Sequence, residues 1–275
     1  MKVSLVLSGG GARGYAHIGV IEEIKKRYEI VSISGTSMGA LIGALEACGK
    51  LDIYKEWVES LDIIDILKFL KSPFMLDSEK IFNKIKSLVG DYYIEDLPIK
   101  FTAVATDLNK GKEVWFQKGP LWEAVKASSA IPGVFEPVEF KNMKLVDGGV
   151  LNLMPVAPVM SDFSDMIIAV NLYGENSGID LKLEYEKRKK VTILNTIFDK
   201  MFDEKEDSVN LSIDLMMESI FRYRQAEYKP DIEIKIPKSC AKWYEFHRAL
   251  ELIEIGRYFA KETLQRRENG KNSYK

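Results

Sequence analysis

The chain has 275 residues, of which 46% are hydrophobic and 29% are charged, and this composition excludes a disordered or collagen-like protein. Its 39 basic and 41 acidic residues give a net charge of −2, so the chain lacks the basic field that gathers nucleic acid. Two cysteines, Cys48 and Cys240, exclude a disulfide framework and a cysteine-rich metal site.

The first part of the chain alternates between predicted strands and helices. Residues 3–7 form a short apolar run that is stopped by Ser8 and three glycines, which predicts a buried strand. An amphipathic helix over 15–27, a second strand over 30–33 and a buried helix over 38–48 follow. This alternation predicts an α/β fold, in which a mostly parallel central sheet is covered on both faces as a three-layer α/β/α sandwich.

The middle of the chain is predicted to be mainly helical before it returns to the sheet. Residues 51–89 are expected to be helical throughout, with a break at Pro73. Two further strands are predicted over 101–106 and 113–117. A proline suited to a first helical turn then begins a helix over 120–129.

The C-terminal half contains, in chain order, a very short strand at 145–146, an apolar strand over 166–172, a charged stretch over 182–190, a strand over 231–236 between two long helical segments, and a last helix over 244–267. No Pro/Ser-rich linker interrupts the chain, so we expect a single domain over 1–275. Its motif-bearing core would span 3–160, residues 161–267 would complete the same fold, and 268–275 would be a frayed tail.

A glycine-rich loop follows the first predicted strand and consists of Gly9, Gly10, Gly11, Ala12, Arg13 and Gly14. It matches G-x-G-x-x-G, but the second predicted strand ends at Gly35 without the acidic residue that a dinucleotide site needs. Successive glycines let amide groups approach an anion closely. We therefore favour a backbone anion site over a plain turn.

A second motif, G-x-S-x-G, consists of Gly35, Thr36, Ser37, Met38 and Gly39. It lies between a predicted strand and a buried helix, the context in which a sharp turn exposes the serine hydroxyl. Ser37 would then stand at a helix N-terminus, where the Met38 amide could serve as an oxyanion donor. A simple helix-capping serine is the alternative.

A nucleophilic serine needs a base, and the sequence offers three candidates. Asp147 ends a predicted strand before two glycines, so its carboxylate could reach the same sheet edge as Ser37, although a turn role is the alternative. A free Asp has a pKa near 3.9 and would have to be partly desolvated to act as a base. We expect His17 to be structural and His247 to be a partly exposed helical residue.

These motifs together resemble the patatin-like phospholipase family. The resemblance rests on the glycine loop, the G-x-S-x-G sequence and a third motif, Asp147-Gly148-Gly149, where many family members have Asp-Gly-Ala. Further segments fit the same pattern, namely Ala105 to Leu108, Ala127 to Gly133, Asn152 and Pro155. The resemblance is close over residues 3–160 and loose beyond them.

The resemblance implies a lipid acyl hydrolase that needs neither metal nor cofactor and cleaves phospholipid, lysophospholipid or simpler acyl esters. It implies that Ser37 is the nucleophile and Asp147 the base, without a catalytic histidine. The glycine loop, chiefly Gly10 and Gly11, would supply oxyanion donors, and Arg13 would help to hold that loop. The reaction would pass through an acyl-enzyme, from which transfer to an acceptor other than water is also open.

Two other functions remain open at this stage. The chain order of Ser37, Asp147 and His247 matches an esterase of the α/β-hydrolase type, although the serine comes early, after only two strands. A non-catalytic nucleotide-binding module would use the loop from Gly9 to Gly14 instead.

Residues 61–70 are unusually apolar for a surface segment. As a helix they would show a narrow polar stripe of Asp62, Asp65 and Lys68. A core helix is slightly favoured, and the alternative is a lid or acyl-chain groove near Ser37, continued by Phe74 and Met75.

The N-terminal apolar run ends at Leu7, which is too short for a signal-peptide core, and no run approaches the roughly 18 apolar residues of a membrane span. We therefore expect a cytoplasmic protein whose partner is a lipid or acyl-ester substrate rather than nucleic acid. Peripheral contact with a membrane surface stays open. The basic run 187–190 could touch anionic headgroups, although we favour its interpretation as a solvated surface. The oligomeric state is not predicted.

Overall fold

The computed structural model describes residues 1–72, 75–175 and 208–272. The strands in these ranges are β1 (Lys2–Leu7), β2 (Glu29–Thr36), β3 (Leu70–Ser72), β4 (Met75–Leu76), β5 (Lys100–Asp107), β6 (Lys112–Phe116), β7 (Val138–Phe140), β8 (Met143–Asp147), β9 (Met166–Gly174) and β10 (Ile232–Pro237). The helices are α1 (Ala16–Lys25), α2 (Met38–Ala47), α3 (Leu51–Ser60), α4 (Ile63–Leu67), α5 (Ser78–Val89), α6 (Leu121–Ser128), α7 (Ser208–Glu227) and α8 (Ala249–Asn272).

The central sheet is mixed and mostly parallel. Strands β10, β9, β1, β2 and β5 are neighbours in that order, and all of them pair in parallel. Strands β6 and β8 each pair with β5 in the antiparallel direction, and β7 pairs with β8. Strands β3 and β4 form a separate hairpin.

Helices cover both faces of this sheet, which makes the predicted three-layer α/β/α sandwich. Side chains alternate between the two sides along β1: Leu5 and Leu7 join the larger hydrophobic cluster, while Val6 joins a smaller one. On the larger side α1 packs against α8, closely enough that a side chain at Gly19 would meet the backbone of α8. On the other side, Phe221 of α7 packs with the segment 153–159.

The prediction of one helical stretch over 51–89 is wrong, because two aspartates start new helices within it. The Asp62 carboxylate accepts a hydrogen bond from the Asp65 amide, and the Asp65 carboxylate accepts one from the Asp62 amide, so these residues cap α4 rather than form a polar stripe. Asp77 caps α5 in a similar way after the β3–β4 hairpin. Ile66 of α4 is buried but Ile64 is half exposed, so this segment is not a core helix.

The C-terminal part differs from the prediction mainly at its boundaries. The strand expected over 231–236 is present as β10. The last helix begins at Ala249 rather than at 244, because residues 238–240 and 246–248 form separate 3₁₀ turns, and it continues to Asn272. The charged stretch at 182–190 and Phe74 lie outside the described residues.

Candidate active site

Strand β5 sets the positions of Ser37 and Asp147. Its residues 103–107 pair with β6 along one edge, so β2 and β8 must share the other edge. Along that shared edge Thr36 pairs with Val104, and Asp147 pairs with the next residue, Ala105. Because β2 and β8 run in opposite directions, their C-terminal ends meet head to head. Ser37 follows Thr36 directly, so the register brings it to Asp147.

Ser37 stands on a sharp, strained turn between β2 and α2. Its backbone has φ 56° and ψ −126°, a conformation that non-glycine residues rarely adopt. The flanking glycines make this turn possible: a side chain at Gly35 would collide with the carbonyl group of Gly39, and one at Gly39 would collide with that of Leu7. This is the strand–turn–helix geometry of a nucleophile elbow.

The C-terminal end of α6 and the residues just after it contact both Ser37 and Asp147. The Ser128 hydroxyl accepts a hydrogen bond from the Ser37 amide (3.0 Å) and donates one to the Val104 carbonyl oxygen (2.6 Å). Two residues later, the Ala130 carbonyl oxygen accepts a hydrogen bond from the Asp147 amide (2.9 Å). Sequence reasoning noted this run of small residues as part of the resemblance but gave Ser128 no role, since its two partners are distant in the chain.

Asp147 is a buried carboxyl group with a raised pKa. Only 4% of the residue is exposed, and Oδ1 accepts a hydrogen bond from the Gly149 amide (2.7 Å). Burial raises the pKa of Asp147 to about 6, while hydrogen bonding to Ser37 and to the Gly149 amide opposes this rise. The aspartate thus also caps its own turn, as the alternative interpretation had it.

The contact between Ser37 and Asp147 is loosely aligned. Oδ2 of Asp147 is buried and accepts no hydrogen bond of ordinary geometry from the described residues, yet the Ser37 hydroxyl is close enough to lower the pKa of the carboxyl group. A poorly aligned contact between the Ser37 hydroxyl and the Asp147 carboxyl group is compatible with catalysis, because catalytic hydrogen bonds are often long or bent before substrate binds.

The two glycines after Asp147 allow its turn to pack tightly. A side chain at Gly148 would collide with the Val104 carbonyl oxygen on β5. At Gly149 a Cβ would lie 3.1 Å from the terminal methyl group of Met217, so α7 reaches over this turn. At Gly148 only hydrogen fits against the backbone of β5, whereas a Cβ at Gly149 would require the neighbouring side chains to shift by a few tenths of an ångström.

The glycine loop lies against Ser37, but only some of its amides can serve as oxyanion donors. A Cβ on Gly9 would lie 3.3 Å from that of Ser37. The Gly9 amide donates to the Leu153 carbonyl oxygen (2.9 Å) and the Ala12 amide to that of Trp243 (2.7 Å), which corrects the prediction that these two amides face an anion.

Three other amides keep their hydrogens unused. Within the described part of the chain, the amides of Gly10, Gly11 and Met38 donate no hydrogen bond. The first two belong to the glycine loop, and the third belongs to the residue that follows Ser37. Gly11 adopts φ +56°, and a side chain there would collide with the Trp243 carbonyl oxygen. A residue other than glycine at position 11 would therefore change the backbone path of the loop.

Arg13 ties the glycine loop to the C-terminal part of the chain. It is 5% exposed, donates a hydrogen bond from Nη1 to the Lys238 carbonyl oxygen (3.2 Å), and stacks on the ring of Tyr173 at 4.8 Å. This placement agrees with the expected loop-holding role.

Neither histidine takes part in the hydrogen bonds of Asp147 within the described residues. Nε2 of His17 lies 2.8 Å from the Ser8 carbonyl oxygen, and complete burial lowers the pKa of His17 to about 4, as expected for a structural residue. His247 belongs to the turn 246–248, which packs against α4 and the 3₁₀ segment 11–15. No hydrogen bond of Asp147 within the described residues involves His247.

The described ranges contain no group of three or more His, Cys, Asp or Glu side chains placed to hold a metal ion. No helix within the same ranges is long and apolar enough to cross a membrane.

Comparison with known proteins gives the class of this protein. Residues 5–160 match the family model of the patatin-like phospholipases. This match covers more than half of the chain, so the chain belongs to the patatin-like phospholipase family. As a member it is a hydrolase that acts on lipid esters.

Individual relatives agree with this assignment. Uncharacterized NTE family proteins of Mycobacterium bovis and Mycobacterium tuberculosis are each 35% identical over 96% of this chain and 91% of their own length. Lysophospholipase NTE1 of Coccidioides immitis is 33% identical over 62% of this chain, a match that covers 11% of that protein. The crystal structure of VipD from Legionella pneumophila matches with a TM-score of 0.51 and 15% identity, covering 96% of this chain and 66% of that chain, which shows likeness of fold alone.

Proposed function

We propose that the protein hydrolyses acyl esters of lipids with Ser37 as nucleophile and Asp147 as general base. The observation that carries this proposal is the head-to-head approach of β2 and β8 along β5, which brings a strained serine and a buried carboxyl group together. A turn that served only to cap α2 would need no such strain, because a serine caps a helix from an ordinary extended conformation.

In the first half of the reaction, Asp147 accepts the proton of the Ser37 hydroxyl as the serine oxygen attacks the ester carbonyl carbon. The resulting oxyanion receives hydrogen bonds from the unused amides of Gly10, Gly11 and Met38. One such donor is typically worth about 3 kcal/mol of transition-state stabilisation. As the intermediate collapses, the leaving alcohol takes the proton from Asp147 and the acyl group stays on Ser37.

In the second half, water attacks the acyl-enzyme and gives its proton to Asp147. The oxyanion forms again at the same amides, and its collapse releases a carboxylic acid while Ser37 recovers its proton. The raised pKa of Asp147, about 6, suits this cycle. At pH 7 the carboxyl group is mostly ionised and can accept a proton, yet it is a stronger base than a solvated aspartate.

We propose lysophospholipids and other single-chain acyl esters as the first substrates to test. The support is that one relative is the lysophospholipase NTE1 of Coccidioides immitis. A panel of lysophospholipids, phospholipids and simple esters, read by release of fatty acid, would rank these classes.

The dyad is tested by covalent labelling followed by mutation. A fluorophosphonate probe is expected to label Ser37, as located by mass spectrometry, and Ser37→Ala is expected to abolish both labelling and hydrolysis of p-nitrophenyl butyrate.

The base is tested with a matched pair of aspartate variants. Asp107 provides the control for Asp147, because it is also buried at a strand end and also caps a turn with Oδ1. We expect Asp147→Asn to lose at least a thousandfold in kcat and Asp107→Asn to retain hydrolysis within about tenfold. Equal losses in the two variants would refute the assignment of the base, and labelling at a residue other than Ser37 would refute the nucleophile. Saturable nucleotide binding without labelling would favour the nucleotide-binding module.

A further inference from the structure

A cleft of about 550 Å³ lies between strand β6 and helix α7. It is lined by Gly111, Lys112, Glu113, Trp115, Leu151, Ile220 and Arg224. Its volume is in the range of pockets that enclose small organic ligands. None of its lining residues belongs to the dyad or to the glycine loop.

The inner end of this cleft adjoins the turn that carries Asp147. Leu151 directly follows the 3₁₀ segment Gly148–Val150, so it lies roughly 8 Å of backbone beyond Asp147. On the opposite wall Ile220 stands one helical turn after Met217, whose terminal methyl group lies beside Gly149. A molecule in the cleft would therefore lie beside the turn that carries Asp147.

Three of the four polar side chains of the lining, those of Glu113, Trp115 and Arg224, are bonded to one another, whereas Lys112 is exposed. The carboxylate of Glu113 accepts hydrogen bonds from the amide of Asn152 and the indole of Trp115, both at 2.9 Å, and forms an ion pair with Arg224. This network spans β6, the segment after the Asp147 turn and α7, so it holds the two walls at a fixed separation. The network leaves Oδ1 of Asn152, which is buried, without a hydrogen-bond partner among the described residues.

The surface left to a ligand is mainly apolar. Trp115 is 43% exposed although its indole N–H is bonded, and the side chains of Leu151 and Ile220 are only partly buried. Exposed aromatic and branched aliphatic groups that face a cleft favour burial by an apolar partner.

We propose that this cleft holds the acyl chain of the substrate, with the ester carbonyl group at Ser37 and the chain running outward between Trp115 and Ile220. The inference rests on the proposed function and adds the part of the protein that selects acyl length. A chain in this position extends from the reacting carbon past the Asp147 turn, so each further methylene group is buried by the same two walls until the cleft is filled.

Chain-length selectivity tests the position of the acyl chain. We compare kcat/KM for p-nitrophenyl palmitate and p-nitrophenyl butyrate in wild type, Ile220→Trp and Leu151→Trp, since an indole at either position would narrow the cleft. The ratio of kcat/KM for the palmitate ester to kcat/KM for the butyrate ester is expected to fall by roughly tenfold or more in both variants, because at least two methylene groups of the palmitoyl chain lose their burial. Tyr223→Trp is the control, since Tyr223 lies on the same helix but is 79% exposed and outside the cleft.

An unchanged ratio in both cleft variants, or an equal fall in Tyr223→Trp, would overturn the proposal. The rate of fluorophosphonate labelling at Ser37 monitors folding, so a variant that fails to label is replaced by the other one. A fall in the ratio with normal labelling supports the acyl cleft.

A binding measurement separates this inference from the proposed function. In the Ser37→Ala background, palmitate is expected to shift the emission of Trp115 to shorter wavelength in a saturable way, and the signal should disappear in Trp115→Phe. Ile220→Trp should weaken palmitate binding by at least tenfold. If palmitate shifts the Trp115 emission but the wild-type protein hydrolyses no ester, the proposed function is refuted and acyl-chain binding in the cleft is supported. If the wild-type protein hydrolyses esters but palmitate does not change the Trp115 emission, acyl-chain binding in the cleft is refuted.

Discussion

Ser37 and Asp147 approach each other from opposite directions along one edge of strand β5. Thr36, the residue before the serine, pairs with Val104, and Asp147 pairs with Ala105. Two consecutive residues of one strand thus set the spacing of the two reactive groups. A sheet register is more rigid than a loop, and a shift of one residue would turn every side chain of the strand to the opposite face. The geometry of the proposed dyad is therefore a property of the sheet.

The pH dependence of hydrolysis is expected to follow the titration of Asp147. With a pKa of about 6, the base is protonated and inactive in acid, so kcat/KM should rise with pH to a midpoint near 6 and level off above pH 7. The measurement is kcat/KM for p-nitrophenyl butyrate between pH 4 and 8. A midpoint near 4, the ordinary value for aspartate, would contradict the role of burial.

Asp147→Asn is expected to stabilise the protein at neutral pH while it removes activity. The folded pKa, about 6, exceeds the unfolded value, 3.8, so ionisation is less favourable in the folded state. As pH rises from 4 to 6 the unfolded chain loses its proton first and stability falls. Above pH 6 the full cost remains, about 3 kcal/mol for a shift of about two pKa units.

Asparagine does not ionise and can still accept the Gly149 amide, so urea unfolding should show the variant to be more stable than wild type above pH 6 and equal to it below pH 4. A gain that is the same at all pH values would contradict the explanation by ionisation.

Ser128→Ala is expected to damage the geometry of the site more than substrate binding. The change leaves the Ser37 amide without its acceptor in a buried position, which costs about 1–3 kcal/mol of stability. Displacement of the elbow should lower kcat by roughly tenfold to a hundredfold, with KM nearly unchanged, because Ser128 positions Ser37 and does not line the proposed cleft.

Ser129→Ala is the matched control for that variant. The hydroxyl of Ser129 makes no hydrogen bond within the described residues, so its removal should change neither stability nor kcat appreciably. If the two variants lose kcat equally, or if Ser128→Ala changes only KM, then Ser128 does not position Ser37.

His247→Ala is expected to retain hydrolysis within about twofold and to keep the same midpoint near pH 6. His247 lies in the turn that packs on α4, and burial together with Ser37 and Gly149 accounts for the pKa of Asp147. Steady-state kinetics of the variant against p-nitrophenyl butyrate decide the question. A loss of a thousandfold would instead favour a Ser37, Asp147 and His247 triad.

The sequence by itself determined those features that depend on neighbouring residues. Glycines on both sides of Ser37 predicted the sharp turn after β2, since only residues without side chains permit strand and helix to cross so closely. The alternation of apolar runs predicted the parallel strands and the layers. It did not predict the break within residues 51–89, where the capping aspartates Asp62 and Asp77 compete with helical periodicity.

Only the tertiary structure decided which side chains come into contact and which backbone amides already donate a hydrogen bond. In sequence Gly9 and Gly10 are equivalent, but the Gly9 amide is bonded to the Leu153 carbonyl oxygen, whereas the Gly10 amide donates no hydrogen bond within the described residues. The pairing of Ser37 with Asp147 likewise depends on β5, which lies between them in the chain and pairs with both strands. Contacts between distant segments arise from sheet register and packing, which no local pattern of residues encodes.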